Sequence, residues 1–339
     1  MTNIDRNGPI VPFSWSWGSG EVPPQVEGCA RRARAGGVVT GVKQWAAGAA
    51  APEPAWLVDG VSAATLERLK AHPDFASAMT ASAAALAALY TGNRLLNRVL
   101  NDRGRTLFGF FALYLHALPE AQGGSLTVGR MAALAAETGV CSRGRAKAML
   151  ALMRWGGYLA PVEEGGDRRS KPLAPTARML ALHRQRWVSQ FQAISQIDPQ
   201  VAPVVARLDD PAFFNRLAIA LGDSFRSGFR VLDRAPQLAD LADRDSGLMV
   251  LLSLHVAQAS AQPSPSIADL ARRFHVSRAH VLQLLKDAQA AGLVERDEGG
   301  GGGVLTALGH DALADFFAAT FALLACAAKA SLAEPAPLR

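Results

Sequence analysis

The sequence predicts a mainly α-helical protein with an internal duplication, in which each half carries a small two-stranded β-hairpin. Two observations lead to this fold class. From about residue 62 onward, the chain consists of Ala- and Leu-rich stretches joined by short connections, a composition that favours helices. Stretches roughly 135 residues apart also repeat the same order of apolar, capping and glycine positions.

Length and charge limit the classes of function. A chain of 339 residues suits two or three modules, and 50% of its residues are hydrophobic, so it can form sizeable cores. The net charge is +6, and only 6 of the 35 basic residues are lysine. Because the planar guanidinium group of arginine fits phosphates and guanine edges, nucleic acid is a candidate partner.

The cysteines and the apolar runs exclude other classes. Cys29, Cys141 and Cys326 form no CxxC or Cys/His pattern, so we expect no disulfide framework, metal site or cofactor. The first twenty residues lack the layout of a signal peptide, and the longest apolar run, 316–328, is too short to span a membrane. The sequence therefore predicts a soluble cytoplasmic protein without a membrane partner.

Composition divides the chain into three regions. Residues 1–61 mix Pro, Gly and Trp without periodicity and are predicted to form an irregular N-terminal arm. Residues 62–198 and 199–339 are the two predicted repeats. Their matching positions keep the same order at spacings that fall from 139 to 130, as loop shortening after duplication would leave them: His116/His255, Leu134/Leu270, Ser142/Ser277, Gly157/Gly292 and Thr176/Thr306.

Each repeat contains the pattern of a winged helix-turn-helix. In the second repeat, a short helix precedes a turn at Val276, and Ser277 caps a second helix that ends at Gly292. The segment "LVERDEGGGGGVLTALG" then predicts a strand, a tip, a strand and a new helix. The first repeat follows the same plan, with a turn at Gly139 and a cap at Ser142. The predicted inward positions of the two second helices are Ala146, Met149, Leu150 and Met153, and Val281, Leu284, Leu285 and Ala288.

Parts of both repeats resemble the MarR family of bacterial regulators. The segment "GGDRRSKPLAPTARM" is similar to the wing of that family, and "VLTALGHDAL" carries its Leu-Thr-x-x-Gly ending at Leu305, Thr306 and Gly309. The chain departs from the family at Pro175 and Arg178, in the glycines of the second wing, and in carrying two such domains. The resemblance implies a bacterial transcriptional regulator whose DNA binding a small-molecule effector releases.

Charge distinguishes the two repeats. Residues 130–178 contain nine Lys/Arg against four Asp/Glu, whereas residues 266–310 contain five of each. Because the second helix of a winged helix enters the DNA major groove, its polar opening turn is predicted to touch DNA, and the first repeat is predicted to bind more strongly. The predicted contacts are Ser142, Arg143, Arg145, Lys147, Arg168, Arg169 and Lys171 in the first repeat, and Ser277, Arg278, His280, Gln283 and Lys286 in the second.

The preferred function is that of a sequence-specific, double-stranded-DNA-binding transcriptional regulator. The alternative is a tandem winged-helix scaffold that binds proteins, or a replication or chromosome-maintenance factor. No phosphate-binding loop, metal cluster or Ser/His/Asp grouping indicates an enzyme. Helices 104–118 and 178–198 are predicted to pack on 246–260 and 309–330, which would give one chain a pseudo-twofold arrangement; a further homodimer stays open.

Overall fold

Helices form most of the protein, as the sequence predicts. The structure is a computed structural model that describes residues 54–122, 124–162, 172–296 and 301–333. Its α-helices are α1 (Ala55–Gly60), α2 (Ala63–Lys70), α3 (Phe75–Tyr90), α4 (Arg94–Val99), α5 (Arg103–Ala117), α6 (Val128–Glu137), α7 (Arg143–Trp155), α8 (Ala177–Ile194), α9 (Ala202–Arg207), α10 (Pro211–Arg226), α11 (Ala239–Ala242), α12 (Gly247–Ala259), α13 (Ile267–Phe274), α14 (Arg278–Ala290) and α15 (Ala307–Leu332). The strands are β1 (Leu159–Pro161), β2 (Leu173–Pro175), β3 (Val294–Glu295) and β4 (Val304–Leu305). Short 3-10 turns cover Glu120–Gln122, Pro199–Val201, Val231–Arg234 and Pro236–Leu238.

Two stretches share one succession of a helix, a turn, a second helix and an antiparallel hairpin. The first module, residues 126–176, contains α6, α7, β1 and β2, and the second module, residues 266–306, contains α13, α14, β3 and β4. In each hairpin the strands pair directly with one another. A single bridge also ties the hairpin to the start of the module, from Leu126 to Leu173 and from Ser266 to Gly301.

The turns between the helices have the same backbone conformation in both modules. Gly139 has φ 69° and His275 has φ 54°, so both lie in the left-handed region. Glycine adopts this conformation without a penalty, whereas a residue with a Cβ atom pays about 1–2 kcal/mol. The turn after the second helix repeats the match, with φ 68° at Gly157 and 73° at Gly292.

The second helices of the modules are capped alike. Both α7 and α14 have 13 residues, and the hydroxyl of Ser142 or Ser277 accepts a hydrogen bond from the backbone N–H three residues later. The helix that follows each hairpin begins at an equivalent threonine. Thr176 Oγ1 donates to the Gly157 carbonyl at 2.7 Å, and Thr306 Oγ1 donates to the Gly292 carbonyl at 2.6 Å.

Apolar side chains on the inner faces of α7 and α14 hold each module together. Seven of the eight predicted inward positions are buried: Ala146, Leu150, Met153, Val281, Leu284, Leu285 and Ala288. Met149 is only partly buried, at the edge of the core. The opposite faces of both helices are therefore free to carry polar residues.

Each half of the fold contributes one helix that packs on the other half. α3, from the first predicted repeat, packs both on α8 of its own half and on α12 of the other. α10, from the second repeat, packs on α15 of its own half and on α5 of the other. Of the predicted contacts between halves, α8 does pack on α15. α5 and α12 instead have their most extensive contacts with α10 and α3, because these Ala- and Phe-rich helices lie against them.

The end of the predicted N-terminal arm is helical, which corrects the prediction of an irregular segment up to residue 61. Ala55–Gly60 form α1, which packs on α15. Leu57 is fully buried there and Trp56 is partly buried, so core contacts stabilise a helix that has no capping side chain. Residues 1–53 lie outside the described residues.

α15 is the one helix in the described part of the chain that is long and apolar enough to cross a membrane by length and composition. It has 26 residues, so the argument that the run 316–328 is too short was wrong: the helix continues on both sides of that run. However, 61% of its most apolar window is buried, and it packs on α1, α2, α8 and α10. This burial is compatible with the core helix of a soluble protein.

Candidate nucleic-acid interface

The first module presents a row of cations on the outer face of α7. Arg143, Arg145 and Lys147, all predicted contacts, are exposed, and so is Arg154, one residue before the end of the helix. Ser142, the capping residue, is also exposed. Burial of the opposite face against the core fixes which side of the helix meets solvent.

Helical geometry arranges these cations as two flanks. Arg143 and Lys147 are one turn apart on one flank, and Arg154 follows on the same flank about 16 Å from Arg143. Arg145 lies on the other flank, near Asp102. Burial raises the pKa of that carboxyl, while Arg105 and, more weakly, Arg145 oppose the shift. The exposed cations are therefore spread along the length of α7 and do not gather at one point.

These cations are not neutralised within the described residues, where Arg143, Arg145, Lys147 and Arg154 make no ion pair with Asp or Glu. Three of them occupy the N-terminal part of α7, and its first turn contains no acid. Cations near a helix N-terminus are opposed by the helix dipole, at about 0.3–1 kcal/mol each. A local rule broken without a compensating contact is typical of a functional surface.

Other arginines of the first module have structural partners. The Arg178 guanidinium lies 5.3 Å from the ring centroid of Tyr158, and its Nη1 donates to the Gly156 carbonyl at 3.4 Å. Arg130 donates to the Gly124 carbonyl. The predicted wing contacts Arg168, Arg169 and Lys171 lie outside the described residues.

Sequence reasoning missed two exposed residues at the end of α7. Trp155 is 70% exposed, the largest value among the large hydrophobic residues of the described chain. It follows Arg154, so an aromatic ring and a guanidinium group are adjacent on the surface. The signal was available in the sequence, because neither residue belongs to the apolar period that runs through Ala146, Leu150 and Met153.

The second module shows fewer free cations. Ser277, Arg278, Gln283 and Lys286 are exposed, as predicted for contacts. Gln283 Nε2, however, donates to Asp287 Oδ1 at 2.8 Å, and Arg244 forms an ion pair with the same carboxylate.

His280, a predicted contact, is only partly exposed. Its Nε2 lies 2.9 Å from the carbonyl oxygen of Asp245, so it donates to the connection before α12. The structure therefore turns this imidazole towards the protein, and Arg278 and Lys286 are the cations of α14 that have no ion-pair partner within the described residues.

The described residues hold no group of three or more His, Cys, Asp or Glu side chains that could bind a metal ion. Cys141, next to the cap of α7, is half-buried, and this burial raises the pKa of its thiol although Arg145 opposes the shift. The thiol form is thus favoured at this position, which makes Cys141 a poor nucleophile.

Comparisons of the chain with family models, curated proteins and solved structures found no significant match. The function therefore has to be inferred from the arrangement of the residues themselves.

Proposed function

We propose that the protein is a sequence-specific, double-stranded-DNA-binding transcriptional regulator built from two winged helix-turn-helix domains. In this proposal α7 and α14 are the helices that enter the major groove, and the hairpins β1–β2 and β3–β4 are the wings. The observation that carries the proposal is the row of unpaired cations on the exposed face of α7, on the element that such a domain presents to DNA.

The repeated backbone details support an internal duplication. The left-handed residue of the turn, the capping serine, the glycine that ends the second helix and the threonine that starts the next one all recur in order. Every buried residue of α3 matches a buried residue at a spacing of 139, from Phe75 with Phe214 in α10 to Tyr90 with Phe229 just beyond it. Loops of different length between matched elements are what divergence after duplication would leave.

The exchange of α3 and α10 supports a pseudo-twofold arrangement. α3 packs on α12 of the other half, and α10 likewise packs on α5 of the other half. Exchanged elements of this kind are typical of symmetric dimers, and here one chain would supply both partners. Two DNA-binding modules joined at a fixed distance bind one duplex more tightly than either module alone, because the second contact becomes intramolecular.

Binding to random duplex DNA tests the electrostatic part of the proposal. We expect the affinity of the full chain to fall steeply between about 50 and 200 mM salt, with a slope of roughly −4 in a plot of log K against log salt if four cations of α7 contact phosphates. Fluorescence anisotropy measures this slope. Absence of duplex binding at the lowest salt concentration would reject a DNA-binding function.

Selection of bound fragments from a random pool tests sequence specificity. Because the exposed side chains of α7 and α14 that could reach base edges differ, we expect a motif with one strongly specified half and one weaker half. A perfect palindrome would mean that the modules are equivalent readers, contrary to the proposal.

For the second module, a protein-binding role is a second candidate. Val304 and Leu308 are 38% and 43% exposed at the hairpin and at the start of α15. Together with the charge balance of this module, they suit a contact with protein more than one with phosphate. If removing Arg278 and Lys286 leaves DNA affinity and specificity unchanged, this second role is favoured.

A further inference from the structure

A surface groove lies between the C-terminal parts of α3 and α12 and reaches the end of α13. It has a volume of about 430 Å³, and mostly small side chains line its two long walls: Ala84, Ala87, Ala88 and Thr91 along α3, and Ser253, Val256, Ala257 and Ser260 along α12. Because a space of roughly 150 Å³ already accommodates benzene, the groove has room for an aromatic side chain and its neighbours.

The equivalent place beside the first module lies between α10 and α5. Residues 75–116 align with 214–255 without a gap, so α10 corresponds to α3 and α12 to α5, and both pairs of helices pack together. Each pair is also tied to the adjoining module. Arg230 Nη2 donates to the Thr138 carbonyl at 3.0 Å, and the Gly92 N–H donates to the Arg273 carbonyl at 2.9 Å. The two places therefore have similar frames.

Beside the first module, side chains of the protein itself fill this place. The ring of Tyr114 lies against Gly222, and its hydroxyl donates to Asp223 Oδ1 at 2.7 Å. Arg226 Nε pairs with Glu137 Oε1 at 3.3 Å and so joins α10 to the end of α6. An aromatic ring and an ion pair thus cover the contact between the helices and the module.

The groove lacks these side chains. Ser253 stands at the position of Tyr114, Ala84 at that of Asp223 and Ala87 at that of Arg226. The loss of the ring, the carboxylate and the guanidinium group leaves the two helices in contact but opens the space beside them. Within the described chain, the second half thus has a groove where the first half has a filled contact.

One charge remains at the end of the groove, and its sign is reversed. Arg273 corresponds to Glu137 at a spacing of 136, the spacing that also relates Gly139 to His275. Arg273 is exposed and is the one charged residue among the described residues that line the groove. It makes no ion pair with Asp or Glu within the described chain. Its charge complements an acidic group.

These features favour a protein segment as the occupant. A nucleic acid would bring many phosphates to a groove that offers a single cation, whereas the uncharged walls suit an apolar side chain. The filled place beside the first module shows what covers such a frame: a ring between the helices and charged groups at the end of the module's first helix.

We propose that this groove binds a segment of another protein that carries an aromatic side chain next to an acidic one. The ring takes the place that Tyr114 fills beside the first module, and the carboxylate pairs with Arg273. This gives a partner chemistry to the protein-binding role considered for the second module, whose α13 forms one end of the groove. It does not require either module to bind DNA.

Selection from random peptides of about ten residues, displayed on phage, tests the groove on the full chain without DNA. We expect the enriched peptides to share a Phe, Tyr or Trp beside or close to an Asp or Glu. Synthetic copies of these peptides then give affinities by fluorescence anisotropy. If no peptide is enriched, or if the enriched peptides lack an acidic residue, the proposal is wrong.

Filling the groove with the side chains of the first half shows where the peptides bind. The variant Ala83→Gly/Ala84→Asp/Ser253→Tyr reproduces Gly222, Asp223 and Tyr114, so it should weaken peptide binding at least about a hundredfold because the ring occupies the site. Thermal unfolding shows that the variant is folded. Peptides that bind this folded variant as well as the wild type would lie elsewhere and would refute the proposal.

A change of one exposed charge tests the acidic contact without altering the core. Arg273→Gln should weaken peptide binding about tenfold, because a charge-assisted pair is lost. Arg272→Gln is the matched control: Arg272 is the neighbouring exposed arginine of α13, pairs with Asp269 at 2.8 Å and does not line the groove. Equal losses in the two variants would contradict a specific role of Arg273.

DNA titrations keep this proposal separate from the proposed function. A wild-type chain that binds the peptides but no duplex DNA would support the groove and reject the DNA-binding function, and the opposite result would do the reverse. If Arg273→Gln weakens duplex binding and leaves peptide binding unchanged, Arg273 belongs to a DNA interface and the proposed contact with an acidic residue is wrong.

Discussion

At equivalent positions of the two second helices, α7 carries Arg145, Lys147 and Arg154, whereas α14 carries His280, Leu282 and Gln289. The backbone around these positions is the same, with equal helix lengths and the same caps. Only the first cation of each helix, Arg143 or Arg278, is common to both.

The residues around these two helices also leave more unpaired positive charge on α7 than on α14. Asp287 on α14 pairs with Arg244 and accepts from Gln283, whereas the outer face of α7 carries no acid in its described residues. Caps, turns and inward residues determine the fold and recur in both modules. The outer faces are free to differ: that of α7 keeps cations without ion-pair partners among the described residues, whereas His280 and Gln283 of α14 bond to other groups of the protein.

The largest expected effect is on DNA affinity. The variant Arg143→Ala/Arg145→Ala/Lys147→Ala should bind duplex DNA between a hundredfold and a thousandfold more weakly, roughly 3–4 kcal/mol, and its salt slope should be smaller by about 3. The variant Arg278→Ala/Lys286→Ala should lose less than about tenfold. Anisotropy titrations at several salt concentrations measure both.

A control for net charge is available outside the modules. Arg68 and Arg234 are exposed and lie on α2 and on the 3-10 turn Val231–Arg234. Arg68→Ala/Arg234→Ala changes the total charge as much as the second-module variant does, so it should affect DNA binding only through weak long-range attraction. If the variants of the two modules lost DNA affinity equally, the proposed difference in DNA binding between the modules would be wrong.

One of the buried positions at which the long helices after the hairpins differ is a histidine in the first and a leucine in the second. His183 on α8 corresponds to Leu313 on α15, and both are fully buried. Neither ring nitrogen of His183 has a partner within the described residues, and burial, with a contribution from Arg186, lowers the pKa of His183 to about 3. At neutral pH the imidazole is uncharged in both the folded and the unfolded chain.

Lowering the pH should therefore reveal the difference between His183 and Leu313. Below the ordinary pKa of about 6.5 the unfolded chain binds a proton at His183 while the folded chain does not, so stability falls from there towards pH 3. His183→Leu should remove this loss, which amounts to about 3 kcal/mol between roughly pH 7 and pH 4. Urea unfolding at both pH values measures the free energy of unfolding.

The reciprocal change sharpens the test. Leu313→His places an imidazole at the corresponding position of α15 and should introduce the same acid sensitivity there. A pH dependence of stability that is identical in the wild type and in His183→Leu would show that this histidine is solvated or paired in solution.

Local rules explain what could be predicted from the sequence. The capping serines, the inward faces and the turn at Gly139 depend on residues within a few positions of each other, and the sequence indicates them correctly. The orientation of His280 could not be predicted, because its partner carbonyl belongs to Asp245, 35 residues earlier.

The exchange of α3 and α10 was also beyond local rules. The buried face of α3 has small residues at Ala78, Ser82 and Ala83, and nothing in this local pattern indicates which helix packs on them. Close approach is visible only in the structure: a Cβ atom at Gly222 of α10 would overlap the ring of Tyr114 on α5. At the matching position α3 has Ala83, and α12, on which α3 packs, contains no Phe, Tyr or Trp.

The smallest expected effect concerns the equivalence of the backbones. Thr176→Val and Thr306→Val keep the branched shape but remove the hydroxyl that caps α8 or α15 and donates to Gly157 or Gly292. Each should lower the free energy of unfolding by about 1–2 kcal/mol, with little difference between the two. Urea unfolding at neutral pH measures both, and the unchanged wild-type chain at the same pH is the reference. The two losses should agree because the two hydroxyls make the same pair of contacts. If only one variant lost stability, water would replace the hydrogen bonds of the other threonine at no cost. The two modules would then share a shape without sharing the interactions that stabilise it.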